Sequence, residues 1–193
     1  MDKTKDSKFY IVKNVLLNKE IFELYRKLTQ TAMWSLDRSS LVGNTSYKIF
    51  PGVQFIENGE TRDGRFPYFI GYFTALARRI QIKFYETYGW EIPSDILRIA
   101  LNGQNDNSQT LGHSDDKDPT FYSVVGFLTP VWGKDWGGEL NIEGVDIPYE
   151  PGTFVVFPST RFHKCQSDNI KKTPYWRISI SYKFSERIYD NTE

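Results

Sequence analysis

Trp176-Arg177-Ile178-Ser179-Ile180-Ser181-Tyr182-Lys183-Phe184 alternates two kinds of residue. Successive side chains of a strand point to opposite faces. Arg177, Ser179 and Ser181 therefore share one face, and Ile178 and Ile180 share the other. The isoleucine face suits an apolar core. A face with one guanidinium and two small hydroxyls suits a pocket for an anionic ligand instead. This stretch is the last of seven short apolar runs, at 96–101, 109–114, 121–128, 138–142, 153–157, 163–167 and 176–184, separated by Gly, Pro, Asn and Asp. Short strands at such spacing predict a mainly β fold with flanking helices, a sandwich or jelly roll.

The half of the chain before these runs reads differently. Phe69, Phe73, Leu76, Ile80, Phe84 and Tyr88 recur at three- and four-residue steps, which predicts a helix over 68–88. Gly89 follows as a C-cap and Pro93 stops any continuation. Its aromatic stripe is expected to support the core rather than to hold a cofactor. A second helix is predicted over 19–33, with Asn18 as cap and Ile21, Leu24, Tyr25 and Leu28 on its apolar face. Residues 9–16 and 52–56 read as strands, 35–44 as a polar strand-and-loop connection, and Asn58-Gly59 and Asp63-Gly64 as turns. The expectation is one domain over 1–193. Residues 1–95 form a helical and strand support region, 96–184 a jelly-roll core and 185–193 a polar, frayed tail.

Composition narrows the function classes. Aromatic residues make up 16% of the chain, with 14 Phe and 12 Tyr, good strand formers and pocket liners. Lys and Arg balance Asp and Glu, 24 against 24, so no electrostatic footprint for nucleic acid or an anionic membrane is present. No stretch approaches the ~20 apolar residues of a membrane span. The start, Met1-Asp2-Lys3-Thr4-Lys5-Asp6, has no apolar signal region. Cys165 is the single cysteine, which rules out an intrachain disulfide and suits a reducing compartment. It is expected to be a small buried hydrophobe. The expectation is a soluble cytoplasmic protein.

Only two histidines are present, both in the strand-rich half. One lies in His113-Ser114-Asp115. By strand parity His113 and Asp115 can hold one atom while Ser114 points away. Asp116 is a rival ligand that parity disfavours. A histidine from a distant strand would complete a two-histidine, one-carboxylate triad that leaves open positions on iron(II). His163 is the remaining histidine. Arg177, fourteen residues further on, could grip the far carboxylate of a dicarboxylate through two parallel hydrogen bonds. Each feature has a plainer alternative: a surface strand pair at 113 and 115, a structural histidine at 163, a surface ion pair at 177.

Taken in order, His113-Ser114-Asp115, Phe127-Leu128-Thr129-Pro130, Trp136-Gly137-Gly138-Glu139-Leu140, the stretch Pro151-Gly152-Thr153-Phe154-Val155-Val156-Phe157, His163 and Arg177-Ile178-Ser179-Ile180-Ser181 form a set. This set resembles the 2-oxoglutarate/iron(II)-dependent oxygenase superfamily, in its prolyl 4-hydroxylase-like branch, over residues 98–184. The resemblance implies a double-stranded β-helix, a jelly-roll barrel supported here by two N-terminal helices. It implies iron(II) held by His113, Asp115 and His163, 2-oxoglutarate anchored by Arg177, and O₂ as the oxidant, and it admits ascorbate as an auxiliary reductant. The implied activity is a dioxygenase that hydroxylates an unactivated C–H bond of a prolyl or other residue in a protein or peptide. The alternatives are a free amino acid or other small molecule, and, outside enzymes, a jelly-roll ligand-binding or structural module.

Two departures accompany the likeness. Phe127 stands where many relatives have a tyrosine that helps to bind 2-oxoglutarate, and Asn102 or a serine of the Arg177 strand is available to substitute; the resemblance places Asn102-Gly103-Gln104 where this branch often has a polar or tyrosine residue near the co-substrate. Residues 168–172 lengthen the hairpin before Arg177, with Lys171-Lys172 expected at a solvated tip. A nucleic-acid demethylase is disfavoured: Lys183 stands where demethylases of the superfamily carry a second arginine, and the chain has no net positive charge. Trp132, Trp136 and Tyr122 are expected either to line a substrate mouth or to pack the barrel rim.

Overall fold

The aromatic repeat over 68–88 forms the helix that it predicts. In the computed structural model, which describes residues 7–31, 34–38, 50–62, 64–106, 108, 110–166 and 169–186 (35–38, 50 and 51 as backbone alone), this helix spans Pro67–Tyr88. Gly89 ends it at φ 75°, its N–H donating to Tyr85 O at 2.8 Å. A left-handed residue at this position is the ordinary glycine C-cap.

In chain order the elements are β1 (Tyr10–Val12), α1 (Asn18–Gln30), β2 (Ser35–Arg38), β3 (Phe50–Glu57), β4 (Glu60–Thr61), α2 (Pro67–Tyr88), β5 (Asp95–Gln104), β6 (Tyr122–Phe127), β7 (Leu140–Ile142), β8 (Val145–Ile147), β9 (Phe154–Pro158), β10 (His163–Cys165) and β11 (Arg177–Ser185). The main antiparallel sheet runs β1-β9-β6-β11-β5-β3-β2, with β4 paired to β3, and the minor sheet runs β10-β7-β8. The segment around His113 joins the minor sheet's edge through two bonds, His113 N–H to His163 O at 2.9 Å and His163 N–H to His113 O at 2.8 Å.

The parity read from the 176–184 stretch separates two cores. Ile178, Ile180, Tyr182 and Phe184 face the helices and join Phe55, Phe73, Leu76, Ile80 and Phe84. Phe127, Leu140, Ile142, Ile147, Tyr149, Val155 and Phe157 fill the space between the sheets. Register then lays polar residues in rows across the inner face of the main sheet. Arg177 lies opposite Gln104, Ser179 between Asn102 and Phe127, Ser181 between Ala100 and Val125, and Lys183 between Arg98 and Ser123.

Phe73 is fully buried, its ring 5.5 Å from that of Phe55, and Tyr182 Oη donates to its carbonyl at 3.1 Å. Phe73→Ala is expected to destabilise the protein by about 3–5 kcal/mol, transfer and cavity terms together. A urea unfolding curve reads this as a lowered midpoint at unchanged slope.

Several expectations are corrected. Leu17, not Asn18, caps α1, and its backbone N–H is satisfied by the Glu20 carboxylate at 2.7 Å. The strand expected over 9–16 is limited to Tyr10–Val12. Residues 110–114 form no strand but a single bridge at His113, paired with His163 at the edge of the minor sheet. β8 was not anticipated; Glu143 at φ 48° and Gly144 at φ 83° make the tight turn that folds it onto β7. β1 and β3 come from the presumed support region yet are strands of the main sheet. Residues 39–44, Asp63 and 187–193, on which expectations also fell, lie outside the described residues. No helix among the described residues is long and apolar enough to cross a membrane.

Candidate active site

The bridge at His113 brings the two histidines of the chain side by side, their ring centroids 4.6 Å apart. Asp115 completes the cluster. Its Oδ1 lies 3.7 Å from His113 Nε2 and its Oδ2 lies 3.7 Å from His163 Nε2. The three possible ligand atoms lie within 4.8 Å of one another. Ser114 points away and donates to Thr160 O, so the alternation expected of a strand survives in an irregular segment. Asp116 turns aside to accept from Lys183 Nζ at 3.0 Å, which leaves Asp115 as the carboxylate that faces the imidazoles.

Each imidazole is oriented from behind. His113 Nδ1 lies 3.2 Å from Leu111 O, and His163 Nδ1 lies 3.0 Å from Arg161 O. A carbonyl can only accept, so Nδ1 carries the proton and the Nε2 lone pair is left for a metal. Asp115 is held as firmly: Arg98 Nη2 donates to Oδ1 at 2.5 Å, and Ser123 Oγ donates to Oδ2 at 2.6 Å with Ser159 Oγ behind it at 2.8 Å. Its backbone N–H donates to Ser159 O at 2.9 Å.

These contacts set the charges. Burial pushes the Asp115 carboxyl up, but its hydrogen bond with His113 and the charges of Arg98 and His163 outweigh burial and hold it well below the usual carboxylate range. The bond to Asp115 raises His113 despite its desolvation. Burial lowers His163, with Asp115 opposing it only in part. A metal needs the unprotonated Nε2 of both rings, so protons compete with metal chiefly at His113. Cobalt(II) affinity should rise with pH up to and somewhat beyond the ordinary histidine range, by about tenfold per unit where one proton is displaced. A flat titration from pH 5.5 to 8 would contradict this.

Arg177 lies on the same inner face and is 1% exposed. Nε donates to Gly138 O at 2.7 Å and Nη1 donates to Gln104 Oε1 at 2.6 Å. The guanidinium stacks 4.8 Å from the Tyr149 ring and 5.6 Å from that of Phe127. Gly138 sits at φ +79°, and a Cβ there would fall 2.9 Å from Arg177 Cδ and Nε. The Trp136-Gly137-Gly138 turn thus has its glycine for close approach to this arginine. Nη2 is buried and unpartnered. A fully buried cation with a free pair of N–H groups is an incomplete arrangement that an incoming carboxylate would complete.

Sequence reasoning missed three contributors, Arg98, Ser123 and Tyr149. Arg98 and Ser123 are found only through the register that places them under Asp115. Gln104, in the 102–104 stretch expected near the co-substrate, orients Arg177, and Tyr149 stacks on Phe127 with ring centroids 4.5 Å apart. The Tyr149 hydroxyl accepts from Thr129 N–H and donates to Ile178 O, and burial pushes it up to about 12. Cys165 is no inert hydrophobe: it donates to the same Gln104 oxygen at 3.1 Å. Of the three aromatic residues expected at a mouth or rim, Trp132 packs on the inner core and Trp136 lies 5.5 Å from it. Tyr122 belongs to the helix side, beside Trp90. In the lengthened hairpin Ile170 is buried and Asn169 accepts from Gly138 N–H, while Lys171 stays exposed.

No family model and no curated protein matches the sequence. The fold is shared with solved structures. A 2-oxoglutarate–Fe(II) oxygenase family oxidoreductase from Burkholderia pseudomallei matches with a TM-score of 0.68 at 16% identity, covering 96% of this chain and 88% of that one. A Trichoplax adhaerens prolyl hydroxylase, solved with a hypoxia inducible factor peptide fragment, matches at 0.64 and 18%, covering 95% and 86%. A Pseudomonas putida prolyl-4-hydroxylase matches at 0.62 and 15%, covering 96% of each chain. The chain therefore has the double-stranded β-helix fold of the 2-oxoglutarate/iron(II) oxygenases, and the resemblance drawn from its ordered motifs holds at the level of the fold.

Proposed function

We propose that this protein is an iron(II)- and 2-oxoglutarate-dependent dioxygenase that hydroxylates an unactivated C–H bond. The observation that carries the reading is the convergence of His113 Nε2, His163 Nε2 and the Asp115 carboxylate, inside a barrel whose buried Arg177 has an unpaired Nη2. Two neutral nitrogens and one carboxylate on one side of an ion are the donor set of a facial triad, which suits iron(II) and leaves positions open. When bound, iron with 2-oxoglutarate supplies oxygen activation, and the co-substrate's decarboxylation provides two of the electrons that O₂ requires.

The chain's own residues bind, orient and exclude. The carbonyls of Leu111 and Arg161 hold the imidazole tautomers, and Arg98 and Ser123 fix the Asp115 carboxylate. Arg177 presents its free Nη2 to the distal carboxylate of the dicarboxylate, with Gln104, Gly138 O and Tyr149 keeping the guanidinium in place. Phe127, Val155 and Phe157 line the inner core and exclude water around the reacting groups. Likeness to prolyl hydroxylases supports an amino-acid-derived substrate, either a prolyl or other residue of a peptide or a free amino acid.

Anaerobic addition of iron(II) and 2-oxoglutarate should produce a weak visible charge-transfer band, absent in His163→Ala. Parent protein that gives no band, at iron and 2-oxoglutarate concentrations shown to bind, would leave a ligand-binding jelly roll as the better reading.

A further inference from the structure

On the inner face of the main sheet, Arg177 Nη2, Arg98 Nε and Glu57 Oε2 are buried and have no partner. The first is accounted for by a dicarboxylate co-substrate. The other two lie together at the opposite end of the same face. Glu57 on β3 is the direct cross-strand partner of Arg98 on β5, the position in which opposite charges ordinarily pair. Arg98 turns instead to Asp115, through Nη2 to Oδ1. That choice leaves its own Nε and the Glu57 oxygen unsatisfied. A buried polar group left in this way costs free energy and calls for a ligand that restores its bond.

The row that holds them is the more open end of the face. Side-chain exposure is 22% for Arg98, 13% for Lys183 and 24% for Asp116, against 1% for the whole of Arg177 at the other end. Lys183, the cross-strand partner of Arg98 on β11, is already engaged by Asp116 at 3.0 Å. Of the charged groups in this row, only Arg98 and Glu57 have an unpaired atom, and Arg98 touches Asp115.

We propose that Glu57 and Arg98 form the substrate-recognition pair of this site, and that they recognise the ammonium and carboxylate of a free α-amino acid. This rests on the oxygenase reading above and names its substrate class. Glu57 Oε2 requires a donor, best a cationic one, and Arg98 Nε requires an acceptor, best an anionic one. Side chains directly opposite on antiparallel strands have Cα atoms roughly 4.5–5.5 Å apart. The ligand must therefore carry its opposite charges close together, as an α-amino acid does on a single carbon. Within a peptide the same positions are a neutral amide and a neutral carbonyl, which match neither charge. A ligand held here lies against the Asp115 carboxylate and so beside the metal position.

The experiment uses the full chain loaded anaerobically with iron(II) and 2-oxoglutarate, in which the charge-transfer band reports the co-substrate complex. The standard L-α-amino acids and their N-acetyl amides are added one at a time. At least one free amino acid should shift the band saturably. Its N-acetyl amide should bind at least about tenfold more weakly, the loss of a charge-assisted hydrogen bond. Glu57→Gln should weaken the same amino acid by a similar factor while the band itself still forms, with folding checked by circular dichroism. If the band forms but no free amino acid shifts it, or if the N-acetyl amides match the free acids, the recognition pair is wrong, whichever way the variant behaves. A missing band sinks the oxygenase reading instead and takes the pair with it.

Discussion

Asp115→Ala is expected to leave the protein unable to load iron(II) or cobalt(II) at concentrations that saturate the parent. The residue supplies one of three converging donors, and its loss removes the one carboxylate that, among the described residues, faces both imidazoles. Changing a residue that merely orients a metal ligand typically costs 10–100-fold in affinity, so the loss here should exceed about 100-fold. Stability should fall as well. The Asp115 side chain is 4% exposed and bonded to Arg98, and removing one partner of a buried pair strands the other. Arg98 keeps some solvent contact, which places the cost near the low end of such losses, roughly 3 kcal/mol. Asp115→Asn should separate the two effects: an isosteric amide restores part of the stability but none of the metal loading. The folded Asp115 carboxyl lies well below its ordinary value. Its stabilising contribution is thus complete above the unfolded value of about 3.9 and is lost only as pH falls through the lower folded one. The Asp115 bond also raises His113, a contribution that is complete below the ordinary histidine value and lost as pH rises through the raised one. The stability difference between parent and Asp115→Ala should accordingly be largest near pH 5, fall across the histidine range, and shrink again in strong acid. Metal loading in Asp115→Ala within tenfold of the parent would remove this residue from the site.

How much of this was legible in the sequence differs by element. The alternation at 177–181 and the three- and four-residue steps of α2 are local patterns, and the structure keeps both. His113 and Asp115 were found by assuming a strand that does not form; they still converge because His113 is bridged to His163 and the Asp115 N–H is bonded to Ser159 O, while the Ser114 side chain bonds to Thr160 O. Arg98, Ser123 and Glu57 carried no signal. A charged residue at an inward strand position looks like any surface residue until its cross-strand neighbours are known. Those neighbours are fixed by pairings between segments as far apart as β3, β5 and β11. Cys165 was misjudged for the same reason, since its partner Gln104 is 61 residues away. Propensity could not show that β1 and β3 complete the main sheet, because the edge that receives them belongs to strands much later in the chain.

Arg177→Met is expected to abolish the preference for a dicarboxylate co-substrate. In the parent, 2-oxoglutarate should exceed 2-oxopentanoate, which has a methyl group in place of the distal carboxylate, by about 100-fold in affinity. Two hydrogen bonds to a charged group, at about 1.5–3 kcal/mol each, are more than enough for that margin. In Arg177→Met both 2-oxoacids should bind with similar, weak affinity, because the group that distinguishes them has lost its receptor. The weakening of 2-oxopentanoate between parent and variant measures the purely structural damage. That damage is real: the Gly138 carbonyl and Gln104 Oε1 each lose a donor, and the stacking against Tyr149 disappears. Arg177→Lys makes the sharper comparison. A lysine keeps the charge but has neither the planar fork nor the reach to satisfy Gly138 O, Gln104 and a carboxylate at once. It should recover less than a tenth of the parent's preference for 2-oxoglutarate, while cobalt(II) binding at His113, Asp115 and His163 stays near the parent value. A preference for 2-oxoglutarate that survives in Arg177→Met would place the co-substrate's far carboxylate elsewhere, and would leave the buried, unpaired Nη2 of Arg177 without an explanation in this chemistry.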